Sequence, residues 1–127
     1  MNRKVREIYN AFSGKLVGNK IMKYHVCETL SKMPQDIINF VTSNCWFFAS
    51  MEDSYGFTFT GNDLRDQHLI FLSDELLDQG EEQIHYTIAH EVGHVILKHR
   101  NSTFIKQEKS EIAKQEREAD AFARKYS

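Results

Sequence analysis

The segment His90-Glu91-Val92-Gly93-His94 constrains this chain more than any other stretch. On an α-helix, positions four apart differ by roughly 40° around the axis, so the two imidazoles project from one face, one turn apart. Two neutral ring nitrogens can then converge on one Zn²⁺, at about 2.0–2.1 Å each. Glu91 sits about 100° further round, where it can reach a water at the metal without ligating the ion. The flanking residues read as helix. Ile84, Ile88, Val92, Val95 and Ile96 recur at spacings of three and four, and Glu81 and Glu82 suit an N-terminal turn. Lys98, His99 and Arg100 suit its C-terminus, and no proline interrupts the run.

Two histidines do not complete a site, because a catalytic zinc wants three protein ligands and an open fourth position. A surface helix can also carry two histidines four apart for no catalytic reason. Downstream, Glu116-Arg117-Glu118-Ala119-Asp120 also reads as helical. Glu116 can be the third ligand. Asp120, one turn on, can accept the remaining ring N–H of a ligand histidine and fix its orientation. Glu118 is turned about 200° from Glu116, so it cannot share that face. Ala119 and Ala123 are small enough to let two helices approach closely. Taken alone, the acidic segment is an ordinary solvated face, with Lys114 and Arg117 pairing nearby carboxylates; the two motifs together argue for a zinc site. His99 falls roughly 140° from His94 and points elsewhere. A metzincin would need Gly at position 97 and His at position 100, where this chain has Leu97 and Arg100. No other donor cluster is legible, so one zinc per chain is expected.

His90 to His94, followed by Glu116-Arg117-Glu118-Ala119-Asp120-Ala121-Phe122-Ala123, resembles the ImmA/IrrE family of small gluzincin peptidases. The upstream runs His68 to Ser73 and Gln83 to Ala89 are similar to the strand and helix entry that precede the motif in that family. The resemblance covers roughly residues 65–126, about half the chain. It implies His90, His94 and Glu116 as metal ligands and Glu91 as the catalytic acid/base. It also implies a protein substrate, since family members often cut or otherwise inactivate helix-turn-helix repressors of mobile elements or stress regulons. Family chains usually continue past the Phe-Ala step into a longer helical tail, whereas this sequence stops at Ser127, so the resemblance does not extend to the C-terminal wall of the substrate cleft.

A chain of 127 residues makes one domain, residues 1–127, with a single modest core. A hydrophobic content of 41% suffices for it, and a net charge of −2 leaves no electrostatic footprint for nucleic acid. The basic cluster Asn2 to Arg6 is diluted by Glu7 and reads as a solvated helix start. No apolar run approaches the roughly 18 residues of a membrane span, and no signal-peptide core opens the chain. Cys27 and Cys45 lack metal or redox spacing and read as buried or idle thiols in a reducing cytoplasm.

Residues 2–12 and about 19–32 read as helices separated by a Gly14 to Gly18 turn, and Pro34 opens a third helix to about Val41. These helices are too short and too weakly charged for a repressor-type helix-turn-helix. Strands are expected at Cys45 to Ser50, Tyr55 to Thr60 and His68 to Leu72, with a hairpin turn at Met51 to Ser54 and a second turn at Gly61 to Asp63. Ser73 can cap a short helical turn, Asp74 to Leu77, ended by Gly80. The expected fold is α+β: a single zincin-like domain with N-terminal helices, a small antiparallel sheet, the active-site helix and a C-terminal ligand-bearing helix. Its substrate-binding edge is expected at His68 to Leu72. Trp46, Phe47, Phe48, Phe57, Phe59 and Phe71 are expected in the core.

The expected activity is zinc-dependent endopeptidase cleavage, with Glu91 moving the proton. His85, His99 and Tyr126 could donate to an oxyanion, but each is expected to be structural. Two rival classes stand beside the enzyme: a non-cleaving antirepressor that keeps the zinc and sequesters its partner, and a zinc-stabilised accessory protein. Neither needs a base beside the metal, so Glu91 favours the enzyme.

Overall fold

Asparagine side chains open the first two helices. In the computed structural model, which describes residues 2–49, 67–97 and 109–127, the Asn2 side chain accepts from the Val5 amide at 2.8 Å and starts α1 (Arg3–Phe12). A cap of this kind contributes about 1 kcal/mol. α1 buries Val5, Ile8 and Phe12, then ends on Ser13 and Gly14 at φ of 51° and 89°. Asn19 repeats the device for α2 (Lys20–Leu30), accepting from Ile21 and Met22 at 2.7 and 3.3 Å. Pro34 precedes α3 (Gln35–Asn44), where its missing N–H costs nothing.

Between α1 and α2, where the sequence reads as a turn, Leu16–Gly18 forms a strand, β1. Three residues are too few for alternation to register; pairing with a longer neighbour makes the strand. That neighbour is β2 (Cys45–Ala49), which leaves α3 without a break. β3 (His68–Leu72) lies on the other side of β2, giving the order β1-β2-β3. Both pairings are parallel, with Leu16 opposite Phe47 and Phe47 opposite Ile70. The antiparallel expectation is thereby corrected. It rested on a tight hairpin after β2, whereas parallel neighbours need a crossover of a dozen or more residues. α2 and α3 supply one between β1 and β2, and the chain from Ala49 to His68 is long enough for another. The expected strand Tyr55 to Thr60 and the turns at Met51 to Ser54 and Gly61 to Asp63 lie outside the described residues.

Ser73 accepts from the Glu75 amide at 3.2 Å and starts a 3₁₀ turn, Asp74–Asp78. Then comes α4 (Glu81–Ile96), with Gly80 at its N-cap and Glu81 and Glu82 in its first turn. α5 (Lys109–Tyr126) closes the chain. Among the described residues the chain is a mixture of five helices and a three-stranded sheet.

The core is built from α1, α2, α3, the three strands, Ala123 of α5 and one stripe of α4, where Ile84, Ile88 and Val92 are buried. Phe12 meets Phe47 edge-on at 5.6 Å. Phe47 and Phe48 are buried as expected, but Phe71 is 49% exposed and stacks on Phe48 at 5.2 Å, so it is a surface aromatic. Cys27 and Cys45 are free and buried, and burial pushes each thiol up to about 12, which leaves them unreactive. No helix of the described residues is long and apolar enough to cross a membrane.

Candidate metal centre

α4 turns Ile84, Ile88 and Val92 to the core and His90 and His94 to the opposite, half-open side. α5 packs along it. The small residues Ala119 and Ala123 are fully buried, and Gly93 faces the Phe122 side chain. A Cβ on Gly93 would lie 3.1 Å from Phe122 Cδ1, so the two axes approach as closely as this glycine permits.

That approach brings Glu116 to both histidines. Its Oε2 is 3.1 Å from His90 Nε2, and its Oε1 is 3.2 Å from His94 Nε2. The imidazoles stand edge to face with centroids 4.7 Å apart, and one donor atom from each of the three residues lies within 4.8 Å of the others. Two ligand atoms on a tetrahedral zinc sit about 3.3–3.4 Å apart, given zinc bond lengths near 2.05 Å. Both separations are close to that edge, and a set of two imidazoles and one carboxylate suits a divalent cation of the zinc class. The histidine side chains are 17% and 21% exposed, enough shelter to hold them and enough opening for a substrate.

Glu91 does not join the three donors. Its Oε1 is 3.8 Å from His90 Nδ1, beyond hydrogen-bond distance, and its side chain opens into a cleft of about 450 Å³. Phe71, Ser73, Leu76, Gln79 and Thr87 share that cleft. β3 therefore runs beside Glu91, and among the described residues it is an edge strand.

Asp120 sits differently from its expected place. Rather than taking the ring nitrogen left over from the metal, its Oδ1 lies 3.3 Å from His90 Nε2, the nitrogen that also faces Glu116. The sequence reading missed what holds it there: the Tyr86 hydroxyl donates to the same Oδ1 at 2.8 Å. That bond to the carboxylate raises the Tyr86 pKa above its ordinary value. Tyr86 lies one turn before His90 and stacks on its ring at 6.4 Å, so the four-residue spacing that joins His90 to His94 could have found it.

Of the three nominal oxyanion donors, His85 is buried and turned toward α2, with His25 Nδ1 at 3.2 Å from its Nε2. Tyr126 packs on Phe122, with centroids 4.8 Å apart. His99, like Lys98 and Arg100, lies outside the described residues. Sequence reading also missed a second donor group, His25, Glu81 and His85. His25 lies far from Glu81 and His85 in the chain, and the three match no metal motif.

Residues 82–126 match the model of the family described as Peptidase U49, the family containing ImmA/IrrE-type metallopeptidases. The match is partial, about a third of the chain, and it takes in nearly all of α4 and α5. Over that stretch it bears out the resemblance read from the motifs, and it points to a peptidase. No curated protein and no solved structure matches the chain.

Proposed function

We propose that this chain is a zinc-dependent endopeptidase of the gluzincin type, a zincin-like domain whose metal is held by His90, His94 and Glu116. The observation that carries the reading is the meeting of these three donors across α4 and α5, with Glu91 beside them yet turned into an open cleft. Bound there, zinc would supply Lewis acidity toward a carbonyl and make a water acidic near neutral pH.

Everything else falls to the protein. Glu91 takes the proton of the attacking water and delivers it to the departing amide nitrogen. Tyr86 holds Asp120 at the edge of the donor group, beside His90. β3, an edge strand among the described residues, can pair with an extended peptide, and the exposed Phe71 ring borders the same cleft. Following the resemblance, the substrate is a helix-turn-helix repressor of a mobile element or stress regulon. The buried free thiols suit the reducing cytoplasm in which such repressors work.

The test is incubation of the zinc-loaded protein with a repressor encoded beside it, wild type against Glu91→Gln. Wild type should shorten the repressor, while Glu91→Gln keeps zinc and partner but cuts about 10²–10⁴ times more slowly. If both relieve repression and neither cuts, the chain is a non-cleaving antirepressor and the peptidase reading is lost.

A further inference from the structure

The proposed activity leaves one group of metal-binding side chains unused. His25 and Glu28 stand three apart on α2, and Glu81 and His85 four apart on α4, so each pair shares one face of its helix. The two helices pack together. His85 Nε2 lies 3.2 Å from His25 Nδ1 and 3.9 Å from Glu81 Oε1. One donor atom from each of these three residues lies within 4.8 Å of the others, as at the first centre. The imidazole separation is again close to the edge of a zinc tetrahedron, about 3.3–3.4 Å. Glu28 interacts with His85, His25 and Glu81, which places a second carboxylate on the same group.

Lys32 decides what this group holds. Its Nζ is 3.1 Å from His85 Nδ1. An ammonium only donates, so Nδ1 carries the lone pair and Nε2 carries the proton that points at His25. A cation at Nε2 would take the place of that proton, which moves to Nδ1; the ring stays neutral, and Lys32 must leave. Lys32 is exposed and free to swing away. Burial, helped by the Lys32 charge, lowers the His85 pKa, so the ring is neutral near pH 7, the form a ligand needs. A cavity of about 570 Å³ lined by Lys32, Glu81, Glu82, His85 and Tyr86 supplies the entry path.

We propose that His25, Glu81 and His85 form a second site for a zinc-class divalent cation, with Glu28 as a further carboxylate beside it, clipping α2 to α4. Lys32 competes with the ion for His85, so the site fills when the lysine withdraws.

The experiment begins with the His90→Ala/His94→Ala double variant, which removes the first centre. Equilibrium dialysis against Zn²⁺ should still give one ion per chain. Zn²⁺ should raise the melting temperature by roughly 8–10 °C when free metal is about a hundred times Kd. Adding His25→Ala or Glu81→Ala should weaken that binding more than about a hundredfold, since each removes a ligand. Both residues have solvent-exposed surface, so neither variant depends on emptying the core. Lys32→Met should tighten it by about tenfold or more, an effect that a merely structural histidine pair would not show. A double variant that binds no Zn²⁺, or binds it indifferently to His25→Ala and Glu81→Ala, overturns the proposal. The reverse pattern, one Zn²⁺ in wild type lost with His25→Ala but kept by the double variant, sinks the proposed function and leaves this site standing.

Discussion

Replacing Gly93 by alanine sets two known effects against each other. In a helix interior, glycine to alanine stabilises by about 0.5–1 kcal/mol, through the entropy of the unfolded chain. Here the new Cβ would sit 3.1 Å from Phe122 Cδ1 and 3.2 Å from Phe122 Cβ and Cγ. The Cδ1 contact could be eased by turning the ring. The Cβ contact cannot, because that atom is fixed to the backbone of α5, so α5 must retreat by a few tenths of an ångström. Overpacking of this kind costs about 1–3 kcal/mol. The net expectation is a loss of about 1 kcal/mol for Gly93→Ala, with an accompanying retreat of Glu116 from His90 and His94. Urea unfolding with chelator present would measure the first, and competitive Zn²⁺ titration should show affinity at the first centre reduced by about tenfold. Phe122→Leu on the Gly93→Ala background should restore part of both, as coupled neighbours do. If Gly93→Ala proves more stable by about 0.5–1 kcal/mol with unchanged Zn²⁺ affinity, the close approach of α4 and α5 is not what positions the donors.

Three further outcomes follow from the same geometry. His90→Ala and His94→Ala should each lower the zinc content by one ion per chain, because two remaining donors make a poor site; full zinc content in either variant would refute the ligand assignment. Asp120→Asn should cost about 10–100-fold in zinc affinity or activity. If it is silent while Glu118→Ala loses zinc, the acidic segment is set in another frame. The lowered His85 pKa makes stability depend on pH in a definite direction. The unfolded chain binds the proton more readily near the ordinary value of 6.5, so the His85 contribution is whole above that pH and fades as acid carries it down through the folded pKa. Urea midpoints at pH 7.5 and 5.5 should therefore draw closer in His85→Gln, and equal acid sensitivity in variant and wild type would remove His85 from the account.

The candidate site was more legible than the fold, for a physical reason. His90, Glu91 and His94 lie within one and a half turns of one helix, so helical spacing alone predicts their directions. Glu116 and Asp120 obey the same rule on a second helix, and Ala119 and Ala123 foretell the close packing observed. What lay between the helices was less legible. The Tyr86 to Asp120 hydrogen bond and the ring nitrogen that Asp120 approaches depend on the relative rotation of α4 and α5. No single helix encodes that rotation. The direction of the sheet was misread because a hairpin and a crossover can join strands of the same local pattern, and β1 was missed because three residues carry no period.

The two donor groups share α4, and their places on it are opposed in character. His85 faces inward to α2 and is buried, whereas His90 and His94, about one and a half and two and a half turns later, face α5 with part of each ring open. Five residues separate His85 from His90, about 140° around the axis, so one straight helix presents imidazoles to neighbours on different sides. A cation between α2 and α4 would hold the helix at its N-terminal half without touching the chemistry. A cation between α4 and α5 would hold it where Glu91 works. The α2–α4 group has a lysine ammonium against its buried histidine, whereas the α4–α5 group sets a carboxylate against each of its histidines. Affinity should therefore rank the α4–α5 centre above the α2–α4 group in wild type, and Lys32→Met should narrow that gap from the weaker side.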